Sequence, residues 1–348
     1  MNTIPKTVKR SIEFIGLFTF LYAIHMVIDI VLPLLFALLL SFLLLTPIRK
    51  LQKIGLPSSL AIFFSLMVSI LFLVLIGWLI VNQFVDLSNQ YSVIQQNLNN
   101  HWQNLSDFIN AKTQFSTKDQ LTWIQKESNL LLGNAGNFIS GAALSISNLV
   151  VFISLVPIYT FLILFYRSTL VQFVLMWFSN EQHAHVIHII KEIEYILKSY
   201  IGGLLIQIIY IIILLGTALY LLGIKHALLI GLVFALLNLI PYLGALIGNI
   251  IGVLLTMSAS QDFIPILKVL GAISAVQFLD NNILMPRIVG GKVQLNALAS
   301  ILGVLCGGAF AGIPGMFLSL PLLAVLKIIF DHSNGLKQWG VLLGNGRK

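Results

Sequence analysis

The chain has 348 residues, of which 58% are hydrophobic and only 9% charged, and its formal net charge is +8 at pH 7. A soluble domain carries about 25% charged residues, so this composition excludes an ordinary soluble enzyme. The basic residues are dispersed near the ends of apolar stretches, as the positive-inside rule predicts for a membrane protein, and this distribution does not favour nucleic-acid binding. We therefore predict an all-α integral membrane protein.

Long apolar windows without Asp, Glu, Lys or Arg recur along the chain at 60–81, 138–166, 201–224, 227–261 and 293–326. About 20 apolar residues are needed to cross a hydrocarbon core of about 30 Å, so the first three windows each predict one crossing helix. The last two windows are too long for one straight helix and contain helix breakers, so each is expected to bend, break or turn back. A further apolar stretch, 12–45, contains Pro33, which is expected to divide it into two short crossings.

Three clusters of basic residues flank these windows, and they are Lys6, Lys9 and Arg10; Arg49, Lys50 and Lys53; and Lys327, Lys337, Arg347 and Lys348. Placing all three clusters in the cytoplasm requires an even number of crossings, and about eight fits the windows best. Both termini are then cytoplasmic. The predicted divisions of the chain are 1–81, N-terminal transmembrane helices; 82–137, extracytoplasmic helical segment; 138–166, fourth transmembrane helix; 167–200, cytoplasmic amphipathic helix; 201–331, C-terminal transport core with broken helices; and 332–348, cytoplasmic tail.

Histidine and glutamate residues gather in the second polar segment, at His183, His185, His188, Glu181 and Glu192. A metal site is one interpretation of this cluster. The spacing does not place three ligands on one face of a helix, so we interpret the cluster as a solvated helix face and predict no metal site.

Two interrupted segments near the C-terminus carry polar and helix-breaking residues. The first, NLIPYLGALIGNIIG at 238–252, has Pro241 in the middle of a membrane segment and glycines at four-residue spacing. Such glycines let another helix approach closely, and a broken helix of this kind also often forms a substrate or ion site in transporters.

The second stretch is VQFLDNNILMPRIVGG at 276–291, in which Asp280, Asn281 and Asn282 follow an apolar helix. An ionisable residue within a membrane domain is by default a functional hypothesis. Asp280 could pair with Arg287 across Pro286, or residues 280–292 could be an ordinary polar connection at the membrane surface. The next apolar window is itself broken by GIPG at 312–315, which favours a re-entrant transport core.

The succession IPYLGALIG, VQFLDNNILMPRIVGGKVQLNAL and LGVLCGGAFAGIPGMFLSLPLLAVLKII resembles the autoinducer-2 exporter family of bacterial membrane proteins. The motifs cover about a quarter of the chain, and the crossing pattern agrees along the rest. The chain departs from the family at Asp280, where relatives commonly carry Glu, and at Asn296 and Ala297, where they often carry proline.

The resemblance implies a multi-pass transporter in the bacterial cell (inner) membrane that exports a small polar signalling molecule, down or coupled to an ion gradient. An exchanger of sodium or another monovalent cation for protons is the alternative, and a membrane scaffold without transport is a second one. The implied partners are a small-molecule or ion substrate, the lipid bilayer and further copies of the chain, with a pentamer as one arrangement.

No nucleotide-binding P-loop and no intramembrane catalytic motif occurs in the sequence, so we predict neither an enzyme nor a cofactor. Asp280 is expected to respond to protons or cations, held by Arg287 or by Gln277 and Asn281, while Tyr242 and Asn238 bind the solute. The predicted substrate or ion pathway comprises Asn238, Pro241, Tyr242, Gly244, Gly248, Gln277, Asp280, Asn281, Pro286, Arg287, Gly290, Gly312 and Gly315.

Overall fold

The computed structural model describes residues 6–88, single positions between 93 and 107, and residues 151–240, 243–284, 295–333 and 335–344. Within these residues every regular element is helical, which confirms the predicted all-α fold. The α-helices are α1 (Lys6–Met26), α2 (Ile28–Lys53), α3 (Ser58–Ser88), α4 (Val151–Phe165), α5 (Arg167–Leu175), α6 (His183–Leu221), α7 (Ala227–Leu237), α8 (Leu243–Ala259), α9 (Ile264–Leu279), α10 (Ala297–His332) and α11 (Lys337–Leu343). A 3₁₀ turn at Asn180–Gln182 precedes α6, and a π-helical turn at Asp280–Leu284 follows α9.

Five helices among the described residues are long and apolar enough to cross a membrane, and they are α2, α3, α6, α9 with its π-helical turn, and α10. Helices α4 and α5 make a sixth span if they are counted together, although they are bent by 65° at Tyr166. Large apolar side chains such as Val68 and Leu71 on α3 remain 68% exposed. A soluble monomer rarely exposes extended apolar surface, so these side chains fit a lipid environment.

The break in the first apolar stretch lies at Val27 and not at Pro33, so that prediction is wrong. Val27 separates α1 from α2, and Pro33 lies buried inside α2. A proline removes one backbone hydrogen bond and crowds the preceding turn, but neighbouring helices can compensate for this loss in a transmembrane helix.

The chain divides into two compact units. The first is drawn from 1–66, 148–198 and 294–348, and the second from 67–147 and 199–293. The division falls within α3 and within α6, so each of these helices contributes to both units.

Helices α7 and α8 of the second unit form a hairpin, since α7 ends at Leu237 and α8, which begins at Leu243, packs back against it. Gly248 faces the ring of Phe234, and Gly252 faces Ile230 in the same antiparallel order. At about 1.5 Å per residue, the 11 residues of α7 are about 16 Å long, too short to cross the hydrocarbon core. The prediction that the window 227–261 cannot be one straight helix is confirmed.

Both ends of this hairpin are tied to neighbouring elements of the second unit. At its start, the Lys268 amine donates to the Leu222 carbonyl at 3.4 Å. At its end, the Asn97 amide donates to the Ser258 carbonyl at 2.8 Å, and His101 Nε2 lies 2.6 Å from the Ser260 carbonyl oxygen. The hairpin therefore enters and leaves on one side, as a re-entrant element does.

The window 293–326 also folds back. Helix α10 has non-helical backbone at Ala311 and at Gly312, whose φ of 62° and ψ of −149° lie in a region that essentially only glycine adopts. Across this turn Gly303 faces Leu323 and Gly308 faces Met316, so the two arms pack in antiparallel order. The first arm, 297–310, is about 21 Å long, so it does not span the hydrocarbon core. Only the second arm, 313–332, is long enough at about 30 Å to make the crossing counted for α10.

Candidate functional site

A buried carboxylate, Asp280, forms the centre of a polar cluster in the second unit. Its side chain is only 2% exposed. Gln207 Nε2 donates to Asp280 Oδ2 at 2.8 Å, and Asn238 Nδ2 donates to the same oxygen at 3.1 Å. The hydroxyl of Tyr210 donates to Asp280 Oδ1. Three uncharged donors therefore hold this side chain.

The cluster lies deep within the helical bundle of the second unit. Gln207 and Tyr210 are 14 and 11 residues before Leu221, the last residue of α6. At about 1.5 Å per residue they lie about 16–21 Å along the helix from that end, in an apolar helix that spans a core of about 30 Å. Asp280 is therefore buried among the helices of the second unit. Most of the stretch 280–292 lies outside the described residues, so its interpretation as a polar connection at the membrane surface stays a prediction.

The local backbone explains how Asp280 reaches its donors. Helix α9 ends at Leu279, and the next turn, Asp280–Leu284, is π-helical. A π-helical turn accommodates one extra residue per turn, and such turns frequently occur at functional sites. The expected interruption of the helix at Asp280 is therefore present.

The donors differ from those expected from the sequence. Gln277, which is half-buried, and Asn281, which is exposed, supply none of the described hydrogen bonds to Asp280. Gln207 and Tyr210 were missed because they lie about 70 residues earlier, within an apolar window. A polar pair at i and i+3 on one helix face was the available signal, since both side chains then point the same way.

Asn238 occupies the tip of the α7–α8 hairpin, where Gly244 fixes its position. A methyl group on Gly244 would collide with the backbone of Leu237 and Asn238, so only glycine permits this close approach. The hairpin turn thereby brings the Asn238 amide to Asp280. Gly248 lies further along the same contact, against Phe234.

Two other predicted pathway residues belong to the first unit. Gly312 forms the turn of α10, and Gly315 packs so closely on Gly307 that a methyl group would collide with its carbonyl oxygen. The remaining predicted residues lie outside the described ones, and they are Pro241, Tyr242, Pro286, Arg287 and Gly290. The expected Asp280–Arg287 pair therefore stays a prediction.

The charges around Asp280 indicate which ligands its carboxylate can bind. Among the hydrogen bonds described for Asp280, none comes from a cationic side chain. Burying an ionised carboxylate is costly, and uncharged donors offset that cost only in part. Gln207 Oε1 is also buried and has no partner among the described residues. A carboxylate beside an amide oxygen suits a proton or a small hard cation.

The apolar helices, the re-entrant hairpin and the buried carboxylate together define a multi-pass α-helical membrane transporter. The sequence model of the AI-2E family transporters matches residues 14–335. The chain belongs to this family, which consists of transporters and not of enzymes.

Relatives from several bacteria agree with this assignment. YrrI of Bacillus subtilis, named as a candidate transport protein, is 27% identical over 321 residues, which cover 87% of this chain and 86% of YrrI. A candidate transport protein of Haemophilus influenzae is 25% identical over 332 residues, 93% of each chain. The AI-2 transport protein TqsA of Escherichia coli is 31% identical over 127 residues, 36% of this chain and 37% of TqsA.

Proposed function

We propose that this transporter exports a small polar signalling molecule of the autoinducer-2 type, and that Asp280 couples export to an ion gradient. The observation that carries the proposal is the buried Asp280 carboxylate, held by Gln207, Tyr210 and Asn238. The printed name of TqsA supports the choice of solute, because this relative is called an AI-2 transport protein.

The coupling follows from the strength of hydrogen bonds to a charged acceptor. A hydrogen bond to an ionised group is roughly twice as strong as one between neutral groups. When Asp280 binds a proton or a monovalent cation, its negative charge is neutralised and the bond from Asn238 weakens. Because Asn238 lies at the hairpin tip, neutralisation releases the tip from the end of α9.

Exchange of sodium or another monovalent cation for protons is the second candidate function. It is favoured by the same carboxylate together with Gln207 Oε1, the buried oxygen without a described partner. In that case Asp280 carries the transported ion itself, and no organic solute is needed.

Flux into proteoliposomes tests both functions. Purified Asp280→Asn protein is compared with the wild type for autoinducer-2 uptake, sodium uptake and proton movement, each under an imposed gradient. Asn keeps the size of the side chain but removes its negative charge. Asp262→Asn is the matched control, since Asp262 is an exposed acid of the same unit.

We expect gradient-driven flux to disappear in Asp280→Asn and to persist in Asp262→Asn, with both variants monodisperse in detergent. Autoinducer-2 flux that depends on Asp280 supports export, whereas cation–proton exchange without solute flux supports the second function. Wild-type flux in Asp280→Asn would overturn the coupling role.

The cellular setting is part of the proposal. We place the chain in the bacterial inner membrane with both termini in the cytoplasm, because the basic clusters flank the apolar windows as the positive-inside rule requires.

We also propose that the chain forms a homo-oligomer, with a pentamer as one arrangement. Native mass spectrometry of the solubilised protein would count the subunits, and a monomer would contradict the assembly.

A further inference from the structure

Two histidines and a glutamate converge in the first unit, whereas the Asp280 cluster belongs to the second unit. They are His188 and Glu192 on α6 and His332 at the end of α10, and their ligand atoms all lie within 4.8 Å of one another. His332 Nε2 is 3.5 Å from Glu192 Oε2. Two ligand atoms on one tetrahedral zinc ion are separated by about 3.4 Å, given bonds of about 2.1 Å.

The hydrogen bonding of His332 orients its ring for metal binding. Its Nδ1 lies 2.9 Å from the carbonyl oxygen of Ile328, an atom that can only accept, so Nδ1 carries the proton. In the neutral ring the lone pair is then on Nε2, the atom nearest to Glu192. Histidines that bind metals usually donate their other ring nitrogen in this way, which fixes the tautomer.

The other two ligands share one face of α6. His188 and Glu192 are at i and i+4, which brings their side chains next to each other on a helix. His185 also lies near the cluster, with its ring centroid 5.5 Å from that of His332. His332 supplies the third ligand from α10. The three ligands therefore do not have to lie on one face of a single helix.

We propose that His188, Glu192 and His332 bind a first-row divalent transition metal, with zinc as the ion that fits best. Imidazole nitrogen and carboxylate oxygen suit zinc, whereas magnesium and calcium prefer oxygen ligands alone. The ligand atoms, which lie within 4.8 Å of one another, need to close by up to about 1.4 Å to share one ion, a change that side-chain rotation can supply. Bound zinc would link the beginning of α6 to the end of α10 and leave a coordination position open.

Zinc binding to the full-length protein tests the site. Detergent-solubilised protein without an affinity tag is titrated with Zn²⁺ by calorimetry, and retained metal is measured after dialysis. The informative variant is His188→Gln, because it leaves the Glu192–His332 contact intact. His183→Gln is the matched control, since His183 lies on the same helix and its ring contacts the Phe178 carbonyl instead.

We expect one zinc ion per chain in the wild type and in His183→Gln, and no binding of Mg²⁺. Affinity should fall by more than about 100-fold in His188→Gln and in His332→Gln, because changing only a residue that supports a ligand already costs about 10–100-fold. Cobalt substituted for zinc should give the visible absorption of a tetrahedral site. Equal zinc affinity in the wild type and His188→Gln, or loss of binding in His183→Gln, would overturn the proposal. None of these measurements depends on transport.

Discussion

Asp280 accepts three hydrogen bonds, and each donor is an uncharged side chain from outside α9 and its π-helical turn. Gln207 and Tyr210 come from the middle of α6, and Asn238 comes from the hairpin tip. Hydrogen bonds to a charged group contribute about 1.5–3 kcal/mol each, so the donors matter individually. They also compete with any cation that the carboxylate binds.

Replacing Tyr210 with phenylalanine tests this competition, because the change removes the hydroxyl and keeps the ring. The ionised carboxylate loses a donor, while the cation-bound form loses less, so the coupling cation should bind more tightly. A difference of about 1.4 kcal/mol corresponds to a tenfold decrease in the half-saturating cation concentration for flux.

Tyr220→Phe provides the control for this measurement, since Tyr220 lies on the same helix and is 76% exposed. Its half-saturating cation concentration should equal that of the wild type. A higher cation requirement in Tyr210→Phe would mean that the hydroxyl assists cation binding.

The sequence identified the acid of this cluster but not its donors. The Asp in this largely apolar part of the chain is conspicuous, because ionisable residues in membrane domains are rare and usually functional. Gln207 and Tyr210 are ordinary polar residues in a long apolar helix, and only the packing of α6 on α9 and the hairpin gives them a role. His332 was missed for the same reason, since the residues that it faces lie about 140 positions earlier.

At the scale of elements, the α7–α8 hairpin depends on close backbone contact at its tip. Gly244→Ala places a methyl group against the backbone of Leu237 and Asn238, which cannot move away as a side chain can. Overpacking of this kind typically costs about 1–3 kcal/mol. We expect a lower thermal unfolding temperature and weaker flux, because Asn238 is displaced from Asp280.

Gly202→Ala is the matched control, since a methyl group there meets nothing within 4 Å in α6. Alanine is the better helix former by up to about 1 kcal/mol, so this variant should unfold at the same or a higher temperature. Equal unfolding temperatures and equal flux in Gly244→Ala and Gly202→Ala would show that the close contact at the hairpin tip is needed neither for stability nor for transport.

The sequence predicts which apolar windows fold back better than it predicts the residue at which a helix is interrupted. The windows 227–261 and 293–326 were too long for single helices, and both fold back. The break near Pro33 was misplaced, because a proline inside a packed apolar helix removes one hydrogen bond without ending the helix. The domain boundaries and the transport role of the interrupted segments stay predictions.

For the whole molecule, the decisive property is how the chain crosses the membrane. The contacts of Asn97 and His101 with Ser258 and Ser260 place the start of the polar segment 82–137 on the same side as the α8–α9 connection. If that segment is extracytoplasmic, the re-entrant hairpin opens outward and Asp280 lies towards the cytoplasmic half of the bilayer. The basic residues at 49–53 then lie on the cytoplasmic side.

Labelling of single cysteines in intact cells tests this topology. The sequence has one cysteine, Cys306, so Cys306→Ser provides a background for Asp262→Cys in the α8–α9 connection and Lys53→Cys at the end of α2, both exposed positions. A membrane-impermeant maleimide should label Asp262→Cys in intact cells and Lys53→Cys only after permeabilisation. The reverse pattern would invert the chain and place Asp280 nearer the outer surface. Labelling of both positions in intact cells would contradict any topology in which α3 crosses the membrane between them.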